Sequence, residues 1–333
     1  VRENIRYREV AFGGHSLIPQ TAELTLKERR GDCKDQSLLL KEMLQVIGIP
    51  SQLVAIHLTD MGFEKLPTIQ QFNHMIVHIP VGEKYPEMWV DPTDKFGNNR
   101  PIPLDMEGKV ALIIDGEKSK VTTTPVLEDD QEHKVFIHHQ LFINSNGESE
   151  FKDSLSLEGK FASFLRNKFY GKDLKEQEQL LETLLSQGIP DVSISQIKTE
   201  NANAFDKPFI LVAVFTSQGY FGKSDGGIKG RYPNTWERQF MRMPKVNKRH
   251  HPIRMPHETH FETTFDLKSN AGTLEATTLG KLSREPEYVS FEKKKEGIRW
   301  STFALYADPN EYEKIRDEWN YLISETSPLI TVK

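Results

Sequence analysis

Cysteine is almost absent from this chain: Cys33 is the only one in 333 residues. An internal disulfide framework is therefore excluded, while the compartment stays open, because many exported proteins also lack disulfides. Long hydrophobic runs are missing too. The longest, such as "PFILVAVF" from Pro208, are strand-sized and fall well short of the ~20 residues that span a bilayer, so no transmembrane segment is expected. Excess positive charge is lacking: the net charge is −5, which offers no bulk attraction to nucleic acid or anionic lipid. No signal-peptide pattern opens the chain, and there is no internal repeat or low-complexity tract. The start at Val1 reads as that of a mature or trimmed fragment.

What is present is enough for real cores and a charged surface: 37% hydrophobic and 27% charged residues, over a length that suits two domains. Pro19, with Thr21 and Glu23, predicts a turn into a short helix. The strongest helix signal runs from Asp32 to Gly48. Asp32 is placed to cap it, and Asp35 sets a second negative charge near the positive end of the dipole. Leu39, Leu40, Met43, Leu44 and Ile47 recur at helical spacing, and Gly48 and Pro50 end it. "SQLVAIHL" from Ser51, "QFNHMIVHIP" and "EMWVDPT" read as strands. Residues from about 96 to 130 hold several Gly and Pro and read as irregular structure ending in an acidic linker, "LEDDQE".

From His133 the character changes. "HKVFIHHQLFI" and "SEFKDSLSL", joined through "SNGE", predict a long hairpin. Helices are expected near 159–170 and 174–187, strands at "DVSISQIKT" and "PFILVAVF", short strands from about Met255, and a helix at "NEYEKIRDEWNYLI". The second half is thus β-rich with a helical pair inserted.

The one cysteine falls in the first turn of the predicted helix. A thiolate is the reactive form of cysteine, and a helix N-terminus favours negative charge. The same amides can hold an oxyanion. The plain alternative is a small apolar side chain packed at a helix start. A nucleophile needs a base and a group to orient the base. A hairpin with a four-residue loop at 81–84 would set 78 opposite 87, 76 opposite 89, and His74 opposite Asp91, with Cβ atoms ~5 Å apart on one face. His78 shares that face and His57 ends the previous strand; both are weaker bases. Asp94 competes with Asp91 but lies past Pro92. Trp89 would stand on the same sheet, as a cleft wall or as core.

"RRGDCKDQSLLLKEML", "FNHMIVHIP" and "MWVDPTD" together resemble the transglutaminase-like superfamily of papain-like cysteine enzymes, above all its bacterial branch with a "GDCKD" nucleophile helix. The likeness covers about residues 1 to 95 and is less specific beyond 133, at "KRHHPIRMPHETHFETTFDL". It implies an α+β fold, with a papain-like core whose Cys helix packs on an antiparallel sheet, followed by a β-rich domain. Residues 1–130 would form the core, N-terminally incomplete, with its linker, and residues 131–333 the β-rich domain. The resemblance implies Cys33 as nucleophile, His74 as base and Asp91 as orienting acid. Asn73 precedes the base and, with Trp89, is placed with the substrate. Gly31, Asp32, Lys34 and Asp35 complete the nucleophile motif; Asp32 and Asp35 also have a plain role as caps, and Lys34 as a solvated surface residue. His15 and Gln20 lie where such folds often place a second oxyanion donor, which stays unassigned. The resemblance further implies an upstream β-rich domain of the same protein and an exported, periplasmic or envelope-associated bacterial setting.

Other motifs are weaker. "GYFGKSDGG" from Gly219 has two residues where a phosphate loop needs four and reads as a glycine-rich turn. His250, His251, His257 and His260, with Glu258, lack the helical spacing of a zincin, and Pro252 and Pro256 oppose a helix. No metal and no cofactor are expected. The expected function is cysteine-dependent acyl transfer on a peptide or protein amide, with hydrolysis favoured over transfer to an amine. The alternative is a non-catalytic binding or scaffold protein of the bacterial envelope that uses its β-rich domain.

Overall fold

The computed structural model describes residues 1–8, 18–58, 68–95, 101–103, 106–127, 133–204, 207–224, 226–241, 248–250, 252–255, 257–278, 285–294, 296–303 and 305–333. The chain is α+β and divides into two compact units, Val1–Glu128 and Asp129–Lys333.

The first unit opens with β1 (Arg6–Tyr7), α1 (Ala22–Glu28) and β2 (Arg30–Gly31), with β1 and β2 paired in parallel. Thr21 starts α1 by accepting the Leu24 N–H at 3.3 Å. Arg29 ends it in the left-handed region, with φ of 52°, a position that more often carries glycine. That sharp reversal lets two residues of β2 lead straight into α2 (Cys33–Val46). Asp32 caps α2 through the N–H groups of Lys34 and Asp35, and the Asp35 carboxylate returns a bond to the Asp32 N–H at 3.1 Å. This reciprocal box satisfies amides that the helix cannot, and such a cap stabilises by about 1 kcal/mol.

Five antiparallel strands follow: β3 (Gln52–Ile56), β4 (His74–Ile79), β5 (Met88–Val90), β6 (Val110–Ile114) and β7 (Lys120–Thr123), in the order β5-β4-β3-β6-β7. Val54 pairs with Ile76 on one side and Ile113 on the other, so the three share a face. With Ile56, Trp89, Ile102, Met106 and Ala111 they form this unit's apolar core. Burying each large aliphatic side chain there contributes about 1.5–3 kcal/mol. Helix α2 lies against β3 and β4, and the Ser37 hydroxyl donates to the Met75 carbonyl at 2.8 Å.

Two expectations are corrected here. The β4–β5 ladder pairs His78 with Trp89 and Ile79 with Met88, two residues away from the expected register. Pro80 and Pro86 lack the N–H that a ladder needs, so pairing begins outside both and the loop is longer. The stretch expected to be irregular holds β6 and β7. "VALII" between Gly108 and Gly116 is a short, largely β-branched run and carried that signal. The acidic stretch 128–132 lies outside the described residues.

The second unit is built on a seven-stranded sheet. The predicted hairpin is β8 (Lys134–Ile143) and β9 (Glu148–Leu157), followed by α3 (Lys160–Phe169), α4 (Leu174–Leu185), β10 (Ser193–Glu200) and β11 (Phe209–Gln218). A small hairpin, β12 (Gly222–Ser224) and β13 (Gly227–Arg231), occupies the glycine-rich turn. Then come α5 (Thr235–Phe240), β14 (Ile253–Met255), β15 (Thr259–Ser269), β16 (Leu274–Thr277), β17 (Val289–Lys294), β18 (Gly297–Thr302), β19 (Leu305–Ala307), α6 (Tyr312–Glu325) and β20 (Leu329–Val332). The large sheet runs β10-β11-β9-β8-β15-β18-β17, antiparallel except between β8 and β15; the smaller runs β12-β13-β20-β16. Strict alternation along β8, β9 and β11 buries one face, where Phe151 stacks on Phe215 and Phe261 on Trp300.

That core also holds charge. His139 is fully buried between Asp153 (2.7 Å) and Glu237 (3.1 Å). Tyr232 and Trp236 donate to Asp153, and Thr263 to Glu237. Burial opposes a charged imidazole, but the two carboxylates outweigh it and push the His139 pKa up to about 10. Such a network is costly to assemble and costlier to break.

Candidate active site

Each member of the predicted constellation is set by its element. Cys33 is the first residue of α2, His74 the first of β4, and Asp91 the residue after β5. All three are buried. His74 Nε2 lies 2.8 Å from Asp91 Oδ2. Cys33 lies near enough to His74 to bear on the charge of its ring. With Nε2 engaged by Asp91, Nδ1 is the ring nitrogen left for a thiol. The register error did not separate the pair. A shift of two residues keeps every side chain on its face, so His74 and Asp91 meet diagonally rather than directly across. It is Asp91, not Asp94, that reaches His74.

Burial disfavours an imidazolium at His74. The hydrogen bonds and charges of Asp91 and Cys33 prevail and push its pKa up to about 10. Burial likewise opposes charge on Asp91, yet the His74 bond and charge, with two bonds from Thr93, hold its carboxyl below the usual range. His74 thus favours its protonated form more than a free imidazole does.

Around Cys33, Gly31 admits no side chain: a Cβ there would sit 2.6 Å from the Asp35 Cβ. Asp35 also accepts the Gln20 N–H at 2.9 Å, and the Gln20 side-chain amide donates to the Arg30 carbonyl. Gln36 donates to the Gly31 carbonyl. Lys34 pairs with Asp32. Among the described residues the Cys33 N–H has no acceptor, so it is available to an oxyanion. His15 lies outside the described residues.

Other predicted residues are placed differently. Asn73 uses its side-chain carbonyl to accept the Leu58 N–H, and its own N–H bonds to Ile56. Trp89 is core, with its ring 4.4 Å from that of His78. His78 bonds Gln52 through one nitrogen and Glu87 through the other, which leaves it no nitrogen for Cys33. His57 offers its carbonyl to Lys109. In the second unit, His257 packs edge-on against His133, and His260 bonds Ser301. His251 lies outside the described residues. Among those described, no cluster of His, Cys, Asp and Glu has metal-binding geometry.

Two contributors escaped sequence reasoning. Thr93 donates twice to Asp91 Oδ1, through its N–H at 2.8 Å and its hydroxyl at 2.7 Å; the "DPT" string was the available signal. Arg2 Nε donates to the Asp91 carbonyl at 3.2 Å. The same segment bonds the turn before Cys33, through Arg6 N–H to the Arg29 carbonyl and Arg8 N–H to the Gly31 carbonyl. No local pattern signals such a contact, 89 residues apart in sequence.

No protein-family model and no curated protein matches the chain. Among solved structures, it is similar to a protein from Parabacteroides distasonis named a "putative protease", with 11% identity and a TM-score of 0.43. That likeness covers 99% of this chain, which spans about half (49%) of the other.

Proposed function

We propose that this chain is a cysteine-dependent acyl-transfer enzyme of the transglutaminase-like kind, acting on a peptide or protein amide, with hydrolysis as its reaction. The observation that carries the reading is the buried His74–Asp91 pair, with Nε2 to Oδ2 at 2.8 Å, and Cys33 bearing on the charge of the same imidazole.

Cys33 Sγ attacks the amide carbonyl carbon, and His74 holds the thiol proton. The carbonyl oxygen becomes an oxyanion near the Cys33 N–H at the positive end of α2. Collapse breaks the C–N bond, and His74 gives its proton to the leaving amine. Water then attacks the thioester, loses a proton to His74, and frees the acid and the thiol. Asp91 keeps the imidazole oriented throughout. In this reading Asn73 supports the base by fixing the chain beside it, and Trp89, a core residue, backs the sheet that carries His74. An upstream β-rich domain and an exported, envelope-associated bacterial setting belong to the same proposal.

The test is the pH dependence of Cys33 alkylation by iodoacetamide in the wild type and in His74→Ala. The expected result is fast reaction well below pH ~8 that His74→Ala removes. Two profiles that both follow a free thiol near ~8.5, or no reaction in either protein, would overturn the reading.

A further inference from the structure

A carboxylate turns easily about its last torsion, which is broad and two-fold. Buried beside a histidine, it presents one oxygen steadily only if something holds the other. At Asp91 the two oxygens have separate partners: Oδ2 meets His74 at 2.8 Å, while Oδ1 takes the Thr93 hydroxyl at 2.7 Å and the Thr93 N–H at 2.8 Å. Pro92, between them, has a fixed φ and no N–H to compete. The Asp-Pro-Thr turn is thus a clamp on one oxygen that aims the other. Arg2 holds the backbone of the same residue through its carbonyl, so both ends of Asp91 are fixed.

We propose that Thr93 is a positioning residue of the site, whose hydroxyl locks Asp91 in the orientation that holds His74 toward Cys33. This rests on the acyl-transfer reading for its consequence, but the positioning itself is measurable without turnover. A threonine that merely filled space would be replaced by valine without effect on His74.

The experiment compares Thr93→Val, Thr93→Ala and Thr93→Ser with the wild type by proton NMR of the His74 ring and by the pH profile of Cys33 alkylation. The wild type should show a far-downfield Nε2 proton that Asp91→Ala abolishes, which assigns it. In Thr93→Val that signal should weaken or move upfield, the His74 titration should shift down, and alkylation at neutral pH should fall about tenfold, as for loss of a bond to a charged group. Thr93→Ser, which keeps both donors, should restore all three. If valine disrupts folding, Thr93→Ala carries the same expectation. An unchanged His74 signal and titration in the folded valine or alanine variant would overturn the proposal. Failure of the acyl-transfer reading looks different: the Thr93 variants still move the His74 signal, while Cys33 alkylation follows a free thiol in every protein.

Discussion

His74 Nε2 and Asp91 Oδ2 stand 2.8 Å apart, both buried, at the ends of two strands whose pairing, from His78–Trp89 outward, stops short of them. The contact is diagonal and depends on the Asp91 side chain reaching out beyond β5. Asp91→Asn keeps that shape but replaces an acceptor by an amide. The imidazole would then settle in the other tautomer, with its proton on the wrong nitrogen. The expected outcome is a loss of about 10³–10⁴ in amide turnover at unchanged fold, measured by steady-state kinetics beside circular dichroism.

Stability should depend on pH through the same pair. The folded pKa of His74 is raised from 6.5 to about 10. Its contribution is therefore fully present below 6.5 and fades as pH rises through about 10. Asp91 is lowered from 3.8, so its share is present above 3.8 and is lost as pH falls through the lower folded value. The urea midpoint difference between wild type and His74→Leu should be largest between these limits and shrink toward pH 10. A difference that grows with pH would contradict the assignment.

Gly31→Ala tests the turn before Cys33. A methyl group would press on Asp35 at 2.6 Å and on Thr25 at 3.2 Å, displacing the carboxylate that closes the cap. We expect a destabilisation of about 1–3 kcal/mol and slower Cys33 alkylation, read by urea titration and rate measurement on one sample.

In the second unit, His139→Leu leaves Asp153 and Glu237 buried without the cation between them. The expected cost is about 3–5 kcal/mol, visible as an early transition in differential scanning calorimetry. His139→Leu combined with Glu237→Gln should recover part of that loss, because one of the two stranded charges is gone.

The sequence spelled out the local features of the site. The Asp32 and Asp35 caps, the helical repeat from Leu39 and the Gly48 stop are short-range physics, and α2 follows them. His74 and Asp91 were legible as a pair because strand alternation survives a register error of two. The register itself was not legible, since it turned on which residues around Pro80 and Pro86 leave the ladder. Strands β6 and β7 were hidden by neighbouring Gly and Pro, although "VALII" has β-strand composition. The buried His139 network lay beyond reach: Asp153 and Glu237 sit 84 positions apart, and nothing local marks either as a partner of a histidine.

The first eight residues hold more than their own place. Arg2 grips the carbonyl of Asp91, while Arg6 and Arg8 grip the chain immediately before Cys33. Asp91 and Cys33, far apart in sequence, are thus moored to one short tether. Anything that draws this tether away, whether a protease cut or another polypeptide competing for its amides, slackens both moorings together. The places of Asp91 and Cys33 thus share one short support.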